Sequence, residues 1–489
     1  MSGTGRRLRD GAIASALGVA LLLLLEGLAR LGDDPALPAV PPKPPGVFRI
    51  VALGGSTVLG VPDGTLGFVA QLERTLRRAA PGRPLELLNL AVSGAGSRSV
   101  RARLDAALRE PPDLVIVLMG HNEFLEPLPG FLQRLRDRSR LAGRVGGWLE
   151  GEPAEDVPLP DSLPAVDPDG REAKLRRAAF LENLDAVVAR TRAAGVPLLL
   201  ATAPSNLADW PPAWRRVEGA VDPSLVARIR ALSGEGRHAE ALDLARRERE
   251  AREDDAMLRY LEGTALRALA RSDEARARFE QARALDPVPR RAYTDFNQAV
   301  RARAGPGVSV VDVVARFAED AASGLVGFDL IADNCHPTPR GNAIIAREIA
   351  RAMREQALFL AGDAPLPTLP RLLARLAAVQ GDAAGQRRSR LRWLLSNAIY
   401  AMKTPFFNFE ASRHYLLQAR ALAPNDWRVH ANLGTIAVLE GDVASGRKSL
   451  VRARTLKGSP LDPANRDLTP YLAEALARAG PAPAGAGGS

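Results

Sequence analysis

The sequence predicts an α/β fold, in which a parallel sheet lies between two layers of helices. Short apolar runs with the length of buried strands alternate with segments of helical spacing over residues 47–220 and 291–362. This alternation is typical of parallel sheets wrapped on both faces. The chain has 489 residues, too many for one ordinary domain, and further helical segments at 221–290 and 363–480 predict additional α-helical domains.

Five apolar runs are the predicted strands, and they lie at 48–53, 85–92, 114–119, 196–202 and 308–313. Helical spacing predicts helices at 68–78, 100–109, 180–194 and 343–353. Ligands of open parallel sheets bind where the strands end at their carboxyl termini. The polar residues that follow the first three runs are therefore the first place to look for a site.

The N-terminal segment predicts a membrane anchor. An apolar run at 12–25 follows a basic N-terminus, residues 1–10, which the positive-inside rule keeps in the cytoplasm. We expect a signal anchor over 11–31 and a proline-rich linker over 32–46 that holds the rest of the chain off the membrane. The expected location is a bacterial inner membrane, crossed once, with the chain after the anchor on the periplasmic side. A cleaved signal peptide and a buried soluble helix are the alternatives.

Composition narrows the class of protein. The chain is 46% hydrophobic and 25% charged, as globular proteins are, and its net charge is +10. The arginines that carry this charge are spread along helices among acidic residues, which argues against nucleic-acid binding. The only cysteine, Cys335, excludes an intrachain disulfide and a cysteine-rich zinc site. No metal or cofactor is predicted. A thiol nucleophile at Cys335, beside a histidine, is less favoured than a small buried residue.

Four short segments supply a complete set of groups for acyl-ester chemistry: a nucleophile, oxyanion donors, a base and an orienter for the base. They are Gly54-Gly55-Ser56-Thr57, Ala91-Val92-Ser93-Gly94, Gly120-His121-Asn122-Glu123 and Asp333-Asn334-Cys335-His336-Pro337.

Ser56 is the predicted nucleophile and His336 the base that removes its proton. Asp333 lies three residues before His336, so one helical turn would bring both side chains to the same face, where the carboxylate orients the imidazole. Asp329, a second local carboxylate, is predicted to be structural. For an isolated serine, an N-cap role is the alternative.

The four segments resemble those of the SGNH (GDSL-like) hydrolase superfamily, over about residues 47–220 and 288–360. The resemblance implies an oxyanion hole formed by the backbone N–H groups of Ser56 and Gly94 and the side-chain amide of Asn122. Gly96 is a nearby competitor for Gly94.

Gly55, His121 and Glu123 are further candidates for the pocket. The family's usual Gly-Asp-Ser is Gly-Gly-Ser here, and Glu123 stands where Asp is common. Neither difference removes a proposed catalytic group. Both weaken the argument for assigning one particular activity of the superfamily to this chain.

Two further regions are predicted from pattern. The connection at 124–172 is rich in proline, and its composition fits a lid over the active site and a surface excursion equally well.

Small residues recur at regular spacing over 254–287 and again from Trp427, and this pattern resembles tetratricopeptide repeats. Such helices would bind a protein or glycan partner or would buttress the catalytic domain. Residues 481–489 are low in complexity and predicted to be disordered.

The predicted function is that of a membrane-anchored esterase that cleaves or transfers short acyl groups. Similar exported proteins act on acetyl groups of cell-surface glycans, so a glycan-linked acetyl ester is the expected substrate, with lipid esters next. Hydrolysis and transfer share an acyl-enzyme, and the sequence does not separate them. The alternative from another class is a non-catalytic envelope scaffold that binds protein partners through its repeats.

Overall fold

The computed structural model describes residues 40–126, 166–215, 217, 219–402 and 406–457. Apart from residues 40 and 41, the described residues belong to one compact unit, assigned to 42–126 and 160–489. The predicted signal anchor, most of the proline-rich linker, most of the 124–172 connection and the C-terminal tail lie outside the described residues. In the part of the chain that is described, no helix is both long enough and apolar enough to cross a membrane.

A five-stranded parallel sheet forms the centre of the α/β domain, and its order is β2-β1-β3-β4-β5. The strands are β1 (Phe48–Gly54), β2 (Leu85–Asn89), β3 (Leu114–Leu118), β4 (Leu198–Ala201) and β5 (Val308–Val311). The predicted parallel sheet is confirmed. Its central strands are buried on both faces, which explains why they read as continuous apolar runs rather than alternating ones.

Sixteen helices are present in the described residues. In chain order they are α1 (Ser56–Leu59), α2 (Phe68–Ala79), α3 (Ser97–Ala107), α4 (Arg171–Ala193), α5 (Pro223–Gly234), α6 (His238–Glu250), α7 (Ala256–Ala268), α8 (Ser272–Ala284), α9 (Thr294–Arg301), α10 (Val313–Asp320), α11 (Pro339–Glu355), α12 (Leu369–Val379), α13 (Ala383–Met402), α14 (Phe409–Leu422), α15 (Trp427–Leu439) and α16 (Val443–Lys457). Single 3-10 turns lie at Gly64–Leu66 and Ala322–Gly324.

Helices cover both faces of the sheet. On one face α2 and α11 bury Leu72 and Ile345 against β1 and β3. On the other face α3, α4 and α9 form a second core, in which the rings of Phe180 and Phe296 stack at 4.2 Å. Burying an aliphatic or aromatic side chain of this size contributes about 1.5–3 kcal/mol. The two cores therefore fix the sheet, and with it the positions of the strand ends.

The helices α5 to α8 lie between β4 and β5 in the chain and have a core of their own. Gly263 of α7 faces Phe279 of α8, and a Cβ at position 263 would lie 2.8 Å from that ring. Glycine therefore allows these two helices to approach closely. The small residues singled out in the sequence do lie at a contact between helices, while their assignment to tetratricopeptide repeats stays a prediction.

The C-terminal helices pack on the loop that precedes α11. Phe328 and Ala332 of that loop belong to the same apolar cluster as Tyr415 of α14. The inserted and C-terminal helices also meet, because Arg230 of α5 forms an ion pair with Glu410 of α14. Both sets of helices therefore belong to the same packed unit as the sheet.

Candidate active site

The turn between β1 and α1 presents Ser56 at the carboxyl edge of the sheet. Gly55 precedes the helix in an extended conformation, and a Cβ at this position would lie 2.5 Å from Nδ2 of Asn122. The glycine therefore lets the strand ends approach each other. Ser56 occupies the first turn of α1 and is 7% exposed. The pocket candidate Gly55 thus shapes the site through its backbone.

Ser56, His336 and Asp333 form a continuous chain of hydrogen bonds. The Oγ of Ser56 lies 2.7 Å from Nε2 of His336, and Nδ1 of His336 lies 2.5 Å from Oδ2 of Asp333. An ionised carboxylate only accepts hydrogen bonds, so Nδ1 carries the ring proton and Nε2 is free to accept from the serine hydroxyl. All three side chains are buried. The structure thus brings together the three residues predicted to form the catalytic set.

The segment that holds Asp333 and His336 is a tight turn, and the predicted helical turn is wrong. The backbone N–H groups of Cys335 and His336 each donate to Oδ1 of Asp333 at 2.8 Å. The turn is closed by the N–H of Ala332, which donates to the carbonyl of His336 at 2.8 Å. The helix α11 begins only at Pro339, because Thr338 caps it and proline suits its first position. The Asp333 side chain thus takes the hydrogen bonds that a helix would have used.

The oxyanion donors predicted by resemblance lie around Ser56. Gly94 has a φ of +77°, which favours glycine. Within the described residues, the N–H groups of Ser56 and Gly94 have no protein acceptor in hydrogen-bond range. Gly96, the competitor, donates its N–H to Oε1 of Glu126 at 3.0 Å. The N–H of Gly94 is therefore free to bind an oxyanion, and that of Gly96 is not.

Asn122 joins two of these segments. Its Nδ2 donates to the carbonyl of Ala95 at 3.1 Å, which uses one of the two amide hydrogens. The same nitrogen lies next to Gly55, as the close approach described above shows. The second hydrogen is available to a ligand atom beside the nucleophile.

Replacing Asn122 by alanine is expected to lower kcat about 100- to 1000-fold, with a smaller change in KM, because an oxyanion donor acts mainly in the transition state. Steady-state hydrolysis of p-nitrophenyl acetate measures both constants. Asn432→Ala, which removes a buried amide of α15, is the matched control. A kcat within threefold of the unmodified protein, with folding intact, would exclude Asn122 from the oxyanion hole.

Glu123, a pocket candidate, instead caps α3. Its Oε1 accepts from the N–H of Ser97 at 3.0 Å and its Oε2 from the hydroxyl of Ser97 at 2.6 Å. Glu126 accepts from the N–H groups of Gly96 and Ser99. Two carboxylates at a helix N-terminus complement its unpaired N–H groups and its dipole. They hold the loop that carries Gly94.

Burial raises the pKa of Glu123 to about 7, against the lowering effect of its hydrogen bonds to Ser97. The folded state therefore holds this proton more tightly than the unfolded state, whose pKa is near 4.5. The resulting stability is complete below pH 4.5 and is lost as the pH rises to about 7. The loss is up to about 3 kcal/mol, since one pKa unit corresponds to about 1.4 kcal/mol.

We accordingly expect the free energy of unfolding to fall between pH 4.5 and 7 in the unmodified protein and to fall less in Glu123→Gln. Urea unfolding across this range measures both. Glu182→Gln, on the exposed face of α4, is the control and should follow the unmodified protein. Parallel curves for all three proteins would show that Glu123 ionises normally.

His121 is buried behind the site. Its Nε2 lies 2.9 Å from the carbonyl of Pro204, an acceptor, so this nitrogen carries the ring proton. Burial, and secondarily the charge of His336, lowers the pKa of His121 to about 3. The ring therefore stays neutral at ordinary pH and fixes the loop after β4. The structure places this pocket candidate beside the site as a support.

Tyr400 of α13 is a site residue that the sequence did not predict. Its ring lies 5.5 Å from that of His336 at an angle of 78°, and its hydroxyl donates to Oδ1 of Asn334 at 3.2 Å. The hydroxyl of Tyr415 donates to the carbonyl of Ala332. The turn at 332–336, called the catalytic turn below, is therefore held by two C-terminal helices. No motif surrounds either tyrosine, so no signal in the sequence marked them.

The remaining candidates near His336 have other roles. Asp329 pairs with Arg340 at 3.2 Å and not with the histidine. Burial raises the pKa of Cys335 well above its usual range, so the thiol stays protonated. Asp333, Cys335 and His336 lie close enough to hold a metal ion. Since both ring nitrogens are already engaged and the thiol is protonated, this arrangement favours proton transfer over metal binding.

A hydroxyl–imidazole–carboxylate chain thus lies at the carboxyl edge of the parallel sheet. Residues 52–266 match the model of the GDSL-like Lipase/Acylhydrolase family. The chain thus carries a domain of that family and is a hydrolase of carboxylic ester bonds. The matched range contains Ser56, Gly94 and Asn122 and ends before Asp333 and His336. A comparison with curated proteins finds no match.

Solved structures with detectable similarity include three hydrolases. LAE5, an alpha/beta hydrolase enzyme from the metagenome of Lake Arreo in Spain, is 16% identical, with a TM-score of 0.31, covering 64% of this chain and 97% of its own. A catalytic mutant of Axe2, an acetylxylan esterase from Geobacillus stearothermophilus, is 14% identical, with a TM-score of 0.33 and coverages of 66% and 99%. The acetyl xylan esterase AlAXEase is 12% identical, with a TM-score of 0.32 and coverages of 62% and 98%.

Proposed function

We propose that this protein is a serine esterase that removes or transfers short acyl groups, acetyl above all, on cell-surface glycans. The observation that carries the proposal is the 2.7 Å approach of the Ser56 hydroxyl to the unprotonated nitrogen of His336. A serine hydroxyl becomes a nucleophile when a positioned base takes its proton.

The chemistry follows from the hydrogen-bond chain. The Oγ of Ser56 attacks the ester carbonyl carbon while its proton passes to Nε2 of His336, and Asp333 stabilises the resulting imidazolium. The carbonyl oxygen becomes an oxyanion that accepts from the N–H groups of Ser56 and Gly94 and from Asn122.

Collapse of this intermediate breaks the ester C–O bond, and His336 returns the proton to the leaving alcohol. The acyl group is then esterified to Ser56. Water repeats the sequence with His336 as base and releases the carboxylic acid. A sugar hydroxyl in place of that water would give acyl transfer, which is why the geometry is compatible with both outcomes.

A short acyl group is supported by the burial of the nucleophile. Ser56 is 7% exposed and His336 is 4% exposed, so the reacting carbon must enter a confined space. The glycan part of the proposal follows from the expected location outside the cytoplasm, in which residues 11–31 anchor the protein in the inner membrane. The ring of Tyr400 lies beside His336 and packs against that of Phe406, and these two rings would contact the apolar faces of a sugar.

The experiment uses the full chain in detergent. A fluorophosphonate probe should label it covalently, and kcat/KM should be at least tenfold higher for p-nitrophenyl acetate than for the octanoate. Ser233→Ala, at the end of α5, is a control that should behave like the unmodified protein. A folded protein that neither reacts with the probe nor hydrolyses any ester would favour a scaffold that binds partners through its helices. A preference for the octanoate would favour lipid esters.

A further inference from the structure

A cleft between the α/β domain and the C-terminal helices is lined by arginines that the mechanism does not use. It lies between the loop that follows α1 and the helices α12 and α13, and its volume is about 540 Å³. Leu66 of that loop packs in one apolar cluster with Leu372 and Leu376 of α12, so these two walls are fixed to each other. The charged residues that line the cleft are Asp63, Arg388, Arg392 and Arg428.

The sequence of α13 concentrates positive charge at this cleft. Four of the six residues at 387–392 are arginines. Arg387 and Arg390 donate hydrogen bonds to the last turn of α14 and are used in helix packing. Arg388 and Arg392 are four residues apart, which places them on one face of the helix, and both line the cleft.

Arg388 and Arg392 have no partner among the described residues. Neither forms a hydrogen bond or an ion pair there, and both side chains are exposed. Arg428, by contrast, is paired with Asp426 at 2.6 Å. Asp63 uses its Oδ1 to accept two hydrogen bonds within its own loop, and in the described part of the chain it forms no ion pair with an arginine. The cleft therefore presents two unpaired guanidinium groups to solvent.

Both walls of the cleft continue to the catalytic groups. One wall is the loop that follows α1, whose first residue is Ser56. The other is α13, which also carries Tyr400, whose ring lies 5.5 Å from that of His336. Arg392 precedes Tyr400 by eight residues, about 12 Å along the helix axis, and an oligosaccharide is long enough to span that distance. Because a polymer carries its esters and its charges on different sugars, the cleft can hold the chain without opening onto Ser56.

We propose that Arg388 and Arg392 bind anionic groups, carboxylates or phosphates, along a polysaccharide whose acyl esters are cleaved at Ser56. The substrate part of this inference rests on the proposed esterase function, whereas the binding part does not. Each guanidinium fork matches two oxygens of a carboxylate or phosphate. Side chains one helical turn apart, about 6 Å, can meet more than one charge of a polymer. The volume of the cleft is in the range of sites that hold sugar-sized ligands.

Binding is tested with fluorescein-labelled dextrans of one length that carry no carboxylic esters: neutral, carboxymethylated, phosphorylated and cationic diethylaminoethyl forms. Fluorescence anisotropy on the full-length protein in detergent measures Kd. The unmodified protein should bind an anionic dextran at least tenfold more tightly than the neutral one, and the cationic one least. The double variant Arg388→Gln/Arg392→Gln should lose about tenfold in affinity for the anionic form. Added salt should weaken binding of the unmodified protein.

A charge-matched control separates this cleft from the general attraction of a basic protein. Arg420→Gln/Arg454→Gln removes two exposed arginines, of α14 and α16, and should bind like the unmodified protein. Both double variants have the same net charge, so a difference between them reports the position of the arginines. Arg388→Lys/Arg392→Lys keeps both charges and should retain part of the affinity, which covers the case in which the glutamine variant does not fold.

Hydrolysis gives a second readout. The ratio of kcat/KM for acetylated carymethylated dextran to that for acetylated neutral dextran should fall about tenfold in Arg388→Gln/Arg392→Gln and stay constant in the control. Equal affinities of the two glutamine variants for anionic dextran would overturn the cleft as a binding site and leave the esterase intact. Binding of anionic dextran by a protein that hydrolyses no ester would overturn the esterase and keep the binding site. Stronger displacement by phosphatidylglycerol in mixed micelles than by unlabelled polymer would assign the arginines to a membrane surface and overturn the polysaccharide.

Discussion

Replacing Ser56 by alanine is expected to lower kcat/KM for p-nitrophenyl acetate by about 10⁴- to 10⁶-fold and to abolish covalent labelling by a fluorophosphonate. The hydroxyl is the atom that lies 2.7 Å from the base, and alanine offers nothing in its place. What remains is the background rate that the oxyanion donors and His336 give to attack by water.

The fold should tolerate this change. Only one side-chain hydrogen bond of Ser56 is lost, which is worth about 1 kcal/mol. Melting temperature and circular dichroism should therefore stay close to those of the unmodified protein. Cys335→Ala, which removes the neighbouring thiol, should keep its labelling. If labelling survives in Ser56→Ala and disappears in Cys335→Ala, the nucleophile is the thiol and the proposed mechanism is wrong.

Replacing Asp333 by asparagine is expected to lower kcat about 10⁴-fold with little change in KM. The side-chain oxygen of asparagine can still accept from the N–H groups of Cys335 and His336, so the turn should keep its shape. Its amide nitrogen, however, donates toward Nδ1 of His336 and forces the ring proton onto Nε2. In that tautomer Nε2 donates and can no longer accept the proton of Ser56.

The same amide-for-carboxylate exchange at Asp329 is the matched control. Asp329 belongs to the same loop and pairs with Arg340, so Asp329→Asn should retain activity within a fewfold. Steady-state kinetics from pH 6 to 9 with both variants makes the comparison. Activity of Asp333→Asn within tenfold of the unmodified protein at every pH would show that the carboxylate does not set the tautomer of His336.

The sheet and the four site segments were predictable because their signals are local. The sequence of a buried parallel strand is one continuous apolar run, as at 114–119. The glycine after such a run indicates the turn that follows the strand. The catalytic turn was predicted less well. Asp333 and His336 are spaced as in a helix, but Asp333 takes the backbone hydrogen bonds that a helix would need.

Other features of the site depend on contacts between residues that are far apart in the chain. Such contacts cannot be predicted from a single sequence. Gly94 and Gly96 were both candidate oxyanion donors, and Glu126 decides between them because its carboxylate accepts the hydrogen bond of the Gly96 N–H. Tyr400 contacts His336 from α13, a helix 64 residues further along the chain, and nothing in its local sequence indicates a site.

The position of the catalytic turn beneath the C-terminal helices has a consequence for biosynthesis. Ser56 leaves the ribosome 280 residues before His336, about 14 to 56 s earlier at ordinary elongation rates. Tyr400 and Tyr415, which hold the turn that carries His336, follow later still. A nascent or truncated chain therefore holds a serine with no base to activate it. The ability to cleave esters therefore arises only after the turn that carries His336 and the helices that hold it have been made.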